Sequence, residues 1–305
     1  DMLVDVEKAT RDCLLALPNV KGVKTAFNEY TEPSVATQMK AFDDEGYDEV
    51  VVLPLFLTVG GHTNSDIPNL VGLKNDPKAL EMLPKEGVPV YRLKARVTLL
   101  ETIDSTDFLK ANILRRVKDL LKDGNGKDYG VTLAAYGDNG FNQQWEALMA
   151  DLGQHLKDNV GIDAINYAWS GHLVNYSIDP TRKAVNQILA EKKKDIVISV
   201  YVAYDYMFQK DIIGEAIRKS ERPQDVLYHE TEAILPDENL NSWVVDSVKD
   251  SLSVGRLAQA GTWGDPASLA RDTGGRHRRA VPALCLGYDS AMDRTERFYR
   301  MQRLL

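Results

Sequence analysis

Cysteine is scarce, and the chain has no apolar run long enough to cross a membrane. The two cysteines, Cys13 and Cys285, lie at opposite ends of the 305 residues and form no CxxC spacing. This pattern predicts neither a disulfide framework nor a zinc site. No apolar run approaches the ~18 residues of a membrane span. With 44% hydrophobic and 27% charged residues, the composition is that of a soluble globular protein.

Positive charge is also in deficit. A net charge of −8 and a pI near 5.3 argue against a nucleic-acid partner, because phosphate binding needs a basic surface. The first residues, DMLVDVEKATRDCLLAL, are typical of the interior of an amphipathic helix, and we expect an upstream segment before them. We expect a cytoplasmic protein. A periplasmic form stays open, because any targeting peptide would have been in the upstream segment. The length allows one large domain or two.

Strands alternate with helices along the chain, which predicts an α/β fold. A helix near residues 2–17 leads to a strand at 23–30, a helix from Pro33, and a buried strand from residue 51. The order starts again at Tyr129, and VVLPLFLTVGGHTNSDI resembles VISVYVAYDYMFQKDI of the second half. We predict two similar lobes, residues 1–128 and 129–255, with mostly parallel sheets flanked by helices and a cleft between them.

Residues 256–305 differ in composition and form a predicted tail. The stretch TGGRHRRA is basic, and VPALCLGYDSAMDRTERFYRMQRLL is typical of a strand, a loop and a helix. One interpretation is that this element completes the sheet of the first half.

The stretch VVLPLFLTVGGHTNSDIP, residues 51–68, places His62 just past the carboxyl end of a buried strand. Ligands of open parallel sheets bind beyond these ends. Gly60 and Gly61 allow close approach of the backbone to a ligand. Ser65 and Asp66 resemble a capped helix start whose N–H groups would receive a carboxylate.

Two carboxylates and a second histidine are further candidates. Glu29 ends the preceding strand and is expected in the same crevice as His62, whereas Glu32 precedes Pro33 and fits a helix N-terminus. His172 follows a strand of the second half. A loop histidine bonded to backbone is the alternative interpretation for both histidines.

The strings LPLFLTVGGHTNSDIP and FNEYTEPSV, in this order and spacing, resemble the sirohydrochlorin chelatase family, and the β/α repeat extends the resemblance to about residue 250. The resemblance implies that His62 binds metal and that Glu29 is an active-site glutamate. The family's further histidine, in an HGS motif, is absent here. Tyr136 or Tyr288 stands at the corresponding positions.

The resemblance implies insertion of Co²⁺, Fe²⁺ or Ni²⁺, as a substrate, into sirohydrochlorin or a related tetrapyrrole, without an organic cofactor. Tyr136 and Met207 would form a wall against the flat ring, and His172 would be a third metal ligand. The substrate carboxylates would meet the helix start at Ser65 or basic side chains. The basic candidates are Lys94, Arg96 and Arg182. A non-catalytic tetrapyrrole- or metal-binding protein is the alternative, and a two-lobed binding protein for another ligand ranks third.

Overall fold

Two parallel sheets flanked by helices make up the part of the chain that the computed structural model describes, residues 2–28, 31–104, 106–254 and 279–280. The predicted α/β class is confirmed. The strands are β1 (Glu49–Val52), β2 (Arg96–Leu99), β3 (Tyr129–Ala135), β4 (Ala164–Trp169), β5 (Lys194–Ser199), β6 (Val226–Tyr228) and β7 (Arg279–Ala280). The α-helices are α1 (Met2–Leu15), α2 (Val35–Asp44), α3 (Ile67–Leu70), α4 (Pro77–Lys85), α5 (Asp107–Leu121), α6 (Asn142–Val160), α7 (Asp179–Glu191), α8 (Glu215–Arg218) and α9 (Glu238–Val254).

The first sheet has the order β2-β1-β7 and the second sheet the order β4-β3-β5-β6. All described pairs are parallel. Strands β1 and β5 are buried along most of their length, as expected for parallel strands covered on both faces. Each is followed by a loop and a π-helix, His62–Asp66 after β1 and Met207–Gly214 after β5. The two π-helices begin 145 positions apart, where the sequence repeat aligns His62 with Met207.

Two helices pack against elements of the other half. Helix α5 precedes the predicted boundary at residue 128, yet it packs on α6 and on β5 of the second sheet, and α9 packs on α1. The buried Arg116 of α5 donates to the carbonyl oxygen of Ser199 at 2.9 Å. The boundary between residues 128 and 129 stays a prediction. Helix α5, which precedes this boundary, packs against elements that follow it.

Residues 23–28 of the predicted strand at 23–30 form no strand ladder with other described residues, and residues 29 and 30 lie outside the described part of the chain. Residues 23–28 are extended, and their bridge to another segment is the single pair Phe27 and Ser34. Thr25, Ala26 and Phe27 are nevertheless buried. A strand needs a hydrogen-bonded neighbour along its length, and the described residues supply none here.

The predicted tail lies outside the described residues except for Arg279 and Ala280, which pair in parallel with Glu49 and Val50. Across the described residues, no helix combines the length and apolar character needed to cross a bilayer.

Candidate functional site

A cavity of about 310 Å³ lies where the carboxyl ends of the strands from the two sheets face each other. The first half contributes Leu57, Thr58 and the loop that carries His62, and the second half contributes Tyr136 and Val200. The cavity therefore occupies the crevice at which open parallel sheets bind ligands.

His62 is the first residue of its π-helix, and its side chain is 29% exposed. Nδ1 lies 2.7 Å from Oδ2 of Asp66, one turn further along the helix, and 3.2 Å from Nδ2 of Asn28. At 2.7 Å the Nδ1–H group donates to the Asp66 carboxylate, which fixes the tautomer and leaves the lone pair on Nε2. A histidine held by a carboxylate in this way is suited to bind a divalent metal ion.

A carboxylate of the second half reaches the loop before His62. Oδ2 of Asp138 accepts the backbone N–H of Gly61 at 3.1 Å. A Cβ at Gly60 would stand 3.1 Å from the same oxygen, so glycine permits this close approach. Nearby, Nε1 of Trp145 donates to the carbonyl oxygen of Val59 at 2.9 Å. The glycine loop is thus tied to the opposite lobe at two points.

Aromatic rings form the second-lobe side of the cavity. The Tyr136 ring lies 5.3 Å from Phe208 and 5.5 Å from His172, and Tyr201 stacks on Phe208 at 5.2 Å. His172 also contacts Tyr176 at 5.1 Å. These edge-to-face and stacked pairs hold the rings in place.

The electrostatics of His172 favour a neutral ring. Burial lowers its pKa, and the nearby His62 lowers it further, whereas Asp138 opposes the shift. Because the charged form is disfavoured, His172 presents a neutral imidazole and an aromatic edge to the cavity.

Part of the first half is similar to known proteins. Residues 5–120 match the CbiX family and are called the CbiX segment. Over 52 residues, the chain is 42% identical to a sirohydrochlorin cobaltochelatase of Methanopyrus kandleri, covering 17% of this chain and 36% of that protein. Another 64-residue match is 33% identical to the Saccharolobus solfataricus sirohydrochlorin cobaltochelatase, covering 21% of this chain and 50% of that protein. The chain therefore spans about half or less of the length of these relatives.

The fold is similar to that of solved chelatase structures over both halves. SirB from Bacillus subtilis with Fe³⁺ aligns at a TM-score of 0.57 and 13% identity, covering 83% of this chain and 91% of SirB. The sirohydrochlorin chelatase SirB from Bacillus subtilis subspecies spizizenii in complex with cobalt aligns at 0.53 and 12% identity, covering 82% and 90%. At such identities the likeness shows a shared fold.

The structure brings most of the sequence-predicted side chains together. His62 and Asp66 of the CbiX segment, and Tyr136 and His172 beyond it, line the cavity with Gly60 and Gly61. The described lining residues do not include Ser65 or Met207. Instead of Met207, the next residue, Phe208, faces the cavity.

The predicted helix start at Ser65 is wrong, because the helix already begins at His62 as a π-helix. Ser65 therefore lies inside the helix, where its carbonyl oxygen accepts Nδ2 of Asn69 at 2.9 Å. Sequence periodicity at 3.6 residues cannot anticipate a wider π-turn.

Glu29 and Tyr288 lie outside the described residues, so their predicted roles stay predictions. Glu32 behaves as a capping residue: its carboxylate accepts the N–H of Ser34 at 2.7 Å, and this bond lowers its pKa. Among the described residues, no three His, Cys, Asp or Glu side chains gather into a metal site. A three-ligand set with His62 would need a side chain beyond them or an atom of the substrate.

Sequence reasoning missed Asp138, Asn28 and Phe208. Asp138 follows Tyr136 in AAYGDNG, directly after a buried strand. Its place past the carboxyl end of β3 is the signal that would have identified it, by the same rule that selected His62.

Proposed function

We propose that this protein inserts a divalent metal ion, Co²⁺, Fe²⁺ or Ni²⁺, into sirohydrochlorin or a closely related tetrapyrrole. One observation carries the proposal: the carboxylate-held His62 of the CbiX segment faces an aromatic wall across a single cavity. The two curated relatives named above are sirohydrochlorin cobaltochelatases.

His62 is the proposed first ligand of the incoming metal ion. Imidazole nitrogen suits Co²⁺, Fe²⁺ and Ni²⁺, and its affinity alone does not select among them. The bond from Nδ1 to Asp66 holds the ring and raises the basicity of Nε2. Asp66 therefore supports metal binding through His62.

The aromatic wall is the proposed seat of the macrocycle. Tyr136 and Phe208 offer flat apolar surface, and the lowered pKa of His172 keeps a positive charge away from the incoming cation. A tetrapyrrole packed there would turn one face toward His62. The metal would then approach from the first lobe and the ring would rest on the second.

Metal insertion releases two pyrrole protons, and Glu29 is the proposed acceptor. Asp138 is poorly suited to this task, since its two oxygens already accept the N–H groups of Gly61 and Gly140. Asp205 is also engaged, since its Oδ1 accepts the N–H groups of both Met207 and Phe208.

The carboxylates of the substrate need a place outside the cavity. Its described lining includes Asp66, Asp138 and Asp205, and no lysine or arginine. The predicted basic partners do not line it: Arg96 pairs with Glu49 at 3.1 Å, and Arg182 pairs with Asp179 at 2.8 Å. We therefore place the carboxylates toward solvent at the cavity mouth, where desolvation is small.

The test is metal insertion by the full chain, followed by the absorbance change of sirohydrochlorin with each of the three metals. His62→Ala is expected to reduce insertion by ~100-fold or more while the macrocycle still binds. Mutating a residue that only orients a metal ligand typically costs about 10–100-fold in metal affinity or activity, and loss of the ligand itself should cost at least as much. His155→Ala, on helix α6, is the matched control and should retain the wild-type rate. Wild-type protein that binds the macrocycle but inserts none of the metals would contradict the enzymatic function.

A further inference from the structure

The second π-helix carries a buried amide next to the aromatic wall. Gln209 follows Phe208, which lines the cavity. Gln209 itself is fully buried and is not among the described lining residues. A buried amide is compatible with a stable fold only when its donors and its acceptor find partners. The partners of Gln209 therefore show what this side chain holds in place.

Both ends of the Gln209 amide are engaged, and they face different segments. Nε2 lies 2.6 Å from the carbonyl oxygen of Glu232, 3.1 Å from Oγ of Ser199 and 3.3 Å from the carbonyl oxygen of Glu230. Oε1 accepts the backbone N–H of Asp205 at 2.9 Å. Because an amide nitrogen only donates and an amide oxygen only accepts, these partners fix the orientation of the side chain.

The nitrogen end of the amide is anchored on a network that reaches helix α5. The carbonyl oxygen of Glu232 also accepts the hydroxyl of Ser199 at 2.9 Å and Nη2 of Arg116 at 3.1 Å. Nη1 of Arg116 donates to the carbonyl oxygen of Ser199 at 2.9 Å. Arg116 and Ser199 are both buried, and a buried network with paired members favours a single, rigid arrangement. Gln209 is thus joined to α5, to β5 and to residues 230–232.

The oxygen end of the amide holds the loop that lines the cavity. Residues 200–205 all line it, and Asp205 ends this loop. The carbonyl oxygen of Asp205 accepts the N–H of Gln209 at 2.9 Å, in addition to the bond from its own N–H to Oε1. Oδ1 of Asp205 accepts the N–H groups of Met207 at 2.9 Å and Phe208 at 3.3 Å. The position of Phe208 therefore depends on Asp205, and that of Asp205 depends on Gln209.

The repeat shows that this anchor belongs to the second lobe. The offset of 145 positions that aligns the two π-helices aligns Gln209 with Asn64 and Ser199 with Pro54. Asn64 is exposed, and a proline offers neither a hydroxyl nor a backbone N–H. A stabilising role common to both lobes does not explain this difference. The buried amide stands in the lobe that carries the aromatic wall.

We propose that Gln209 is a positioning residue for macrocycle binding, because it holds the cavity loop and Phe208 against the buried network of helix α5. Gln209 acts through Asp205 and Phe208 rather than by contact with the macrocycle. This inference rests on the proposed function, since it concerns the wall that would seat the tetrapyrrole. Loss of the amide should therefore weaken binding of the tetrapyrrole and leave metal binding at His62 unchanged, because His62 lies on the other π-helix.

The first test is Gln209→Met in the full chain, which keeps the approximate size of the side chain and removes both ends of the amide. The dissociation constant for sirohydrochlorin, measured by absorbance titration, should rise about 10-fold, the order of effect of one unsatisfied buried hydrogen-bonding group. The dissociation constant for Co²⁺, measured by calorimetry, should stay within about twofold of the wild-type value, because the two lobes supply separate contacts. Equal sirohydrochlorin affinity in the wild type and the variant would overturn the proposal.

Thr132→Val is the matched control for the loss of a buried hydrogen bond in the same lobe. The hydroxyl of Thr132 is fully buried in β3 and donates to Asp195 at 2.7 Å. Neither residue is among the described lining residues of the cavity. Like Gln209→Met, the control should be less stable in urea, yet it should bind sirohydrochlorin with the wild-type dissociation constant. An equal loss of affinity in both variants would reflect lowered stability alone and would refute the positioning role.

Hydrogen exchange without any ligand separates this inference from the proposed function. In Gln209→Met, the amide of Asp205 should exchange at least ~10-fold faster than in the wild type, and the amides of β3 should change less. Unchanged protection of Asp205 would overturn the positioning role whatever the protein binds. Wild-type protein that does not bind sirohydrochlorin, with the Asp205 amide released as expected in the variant, would instead contradict the proposed function.

Ser199→Ala covers the case in which Gln209→Met does not fold. It removes one acceptor of Nε2 and one donor to Glu232, and it leaves the bond between Asp205 and Gln209 in place. The dissociation constant for sirohydrochlorin should then rise by a smaller factor, about 3-fold, with the Co²⁺ affinity unchanged. A sirohydrochlorin affinity equal to that of the wild type would overturn the proposal in that case.

Discussion

Asp195 offers a stability prediction whose size follows from its surroundings. It is the second residue of β5 and is fully buried. One carboxyl oxygen accepts the hydroxyl of Thr132 at 2.7 Å, and the other has no hydrogen-bond partner among the described residues. Burial raises the pKa of this carboxyl from 3.8 to about 7, against the opposing effect of the Thr132 bond. Its charged form therefore destabilises the folded state.

The sign of the pH dependence follows from the two pKa values. Below pH 3.8 both the folded and the unfolded state hold the proton, so Asp195 costs nothing by ionisation. As the pH rises from 3.8 to about 7, only the unfolded state loses the proton, and the free energy of unfolding falls. The total loss above the folded pKa is on the order of 4 kcal/mol, at 1.36 kcal/mol per pH unit.

Asp195→Asn removes this ionisation and keeps an acceptor for Thr132. Urea unfolding followed by circular dichroism at pH 5 and pH 8 is the measurement. Between these values, the wild type should lose about 2.5 kcal/mol of unfolding free energy relative to the variant. Asp163→Asn is the matched control: the pKa of Asp163 is lowered by its bond to Lys192, so it titrates below this range and its replacement should leave the slope unchanged. An equal pH dependence in wild type and Asp195→Asn would refute the reasoning.

Three further predictions concern the site and the contact of helix α5 with strand β5. Asp66→Asn should weaken Co²⁺ binding, measured by calorimetry, by about 10–100-fold because His62 loses the carboxylate that orients it; unchanged affinity would contradict that role. Phe208→Leu should raise the dissociation constant for sirohydrochlorin about 3–10-fold through lost ring contacts and leave Co²⁺ affinity as it is; a change in metal affinity alone would contradict the wall. Arg116→Met should lower the free energy of unfolding by about 1–3 kcal/mol, since the buried carbonyl oxygen of Ser199 loses its donor, and Arg116→Lys should recover part of the loss.

Sequence periodicity predicted the fold well where local signals and tertiary packing agree. Strands β3 and β5 are apolar runs between well-separated helices, and both lie in the half where the order of strands and helices was predicted to start again. Periodicity overpredicted a strand at residues 23–28, because a strand needs a hydrogen-bonded neighbour that local sequence does not specify. The packing of α5 on β5 and of α9 on α1 is likewise invisible to local pattern, since an amphipathic helix does not encode which element its apolar face will cover.

The candidate site was predictable to the extent that strand ends define it. His62 and Tyr136 were found because they follow buried strands whose carboxyl ends meet at the cavity. The helix start was placed at Ser65, whereas a π-helix begins at His62. Met207 was chosen because the repeat aligns it with His62, and the next residue, Phe208, lines the cavity.

The two lobes share one repeat, yet they turn opposite chemistry toward the cavity. At equivalent positions, the first π-helix begins with His62 and the second with Met207, followed by Phe208. One lobe is thus equipped to hold a cation and the other to hold a flat ring. In a symmetric site, two cation-binding faces would compete for the same ion, and the macrocycle would have no apolar surface to rest on. The contact of Asp138 with Gly61 then matters, because it fixes the distance between the two faces. Insertion needs the metal and the ring at a defined separation, so a cleft tied across its loops suits the proposed reaction better than two lobes free to move apart.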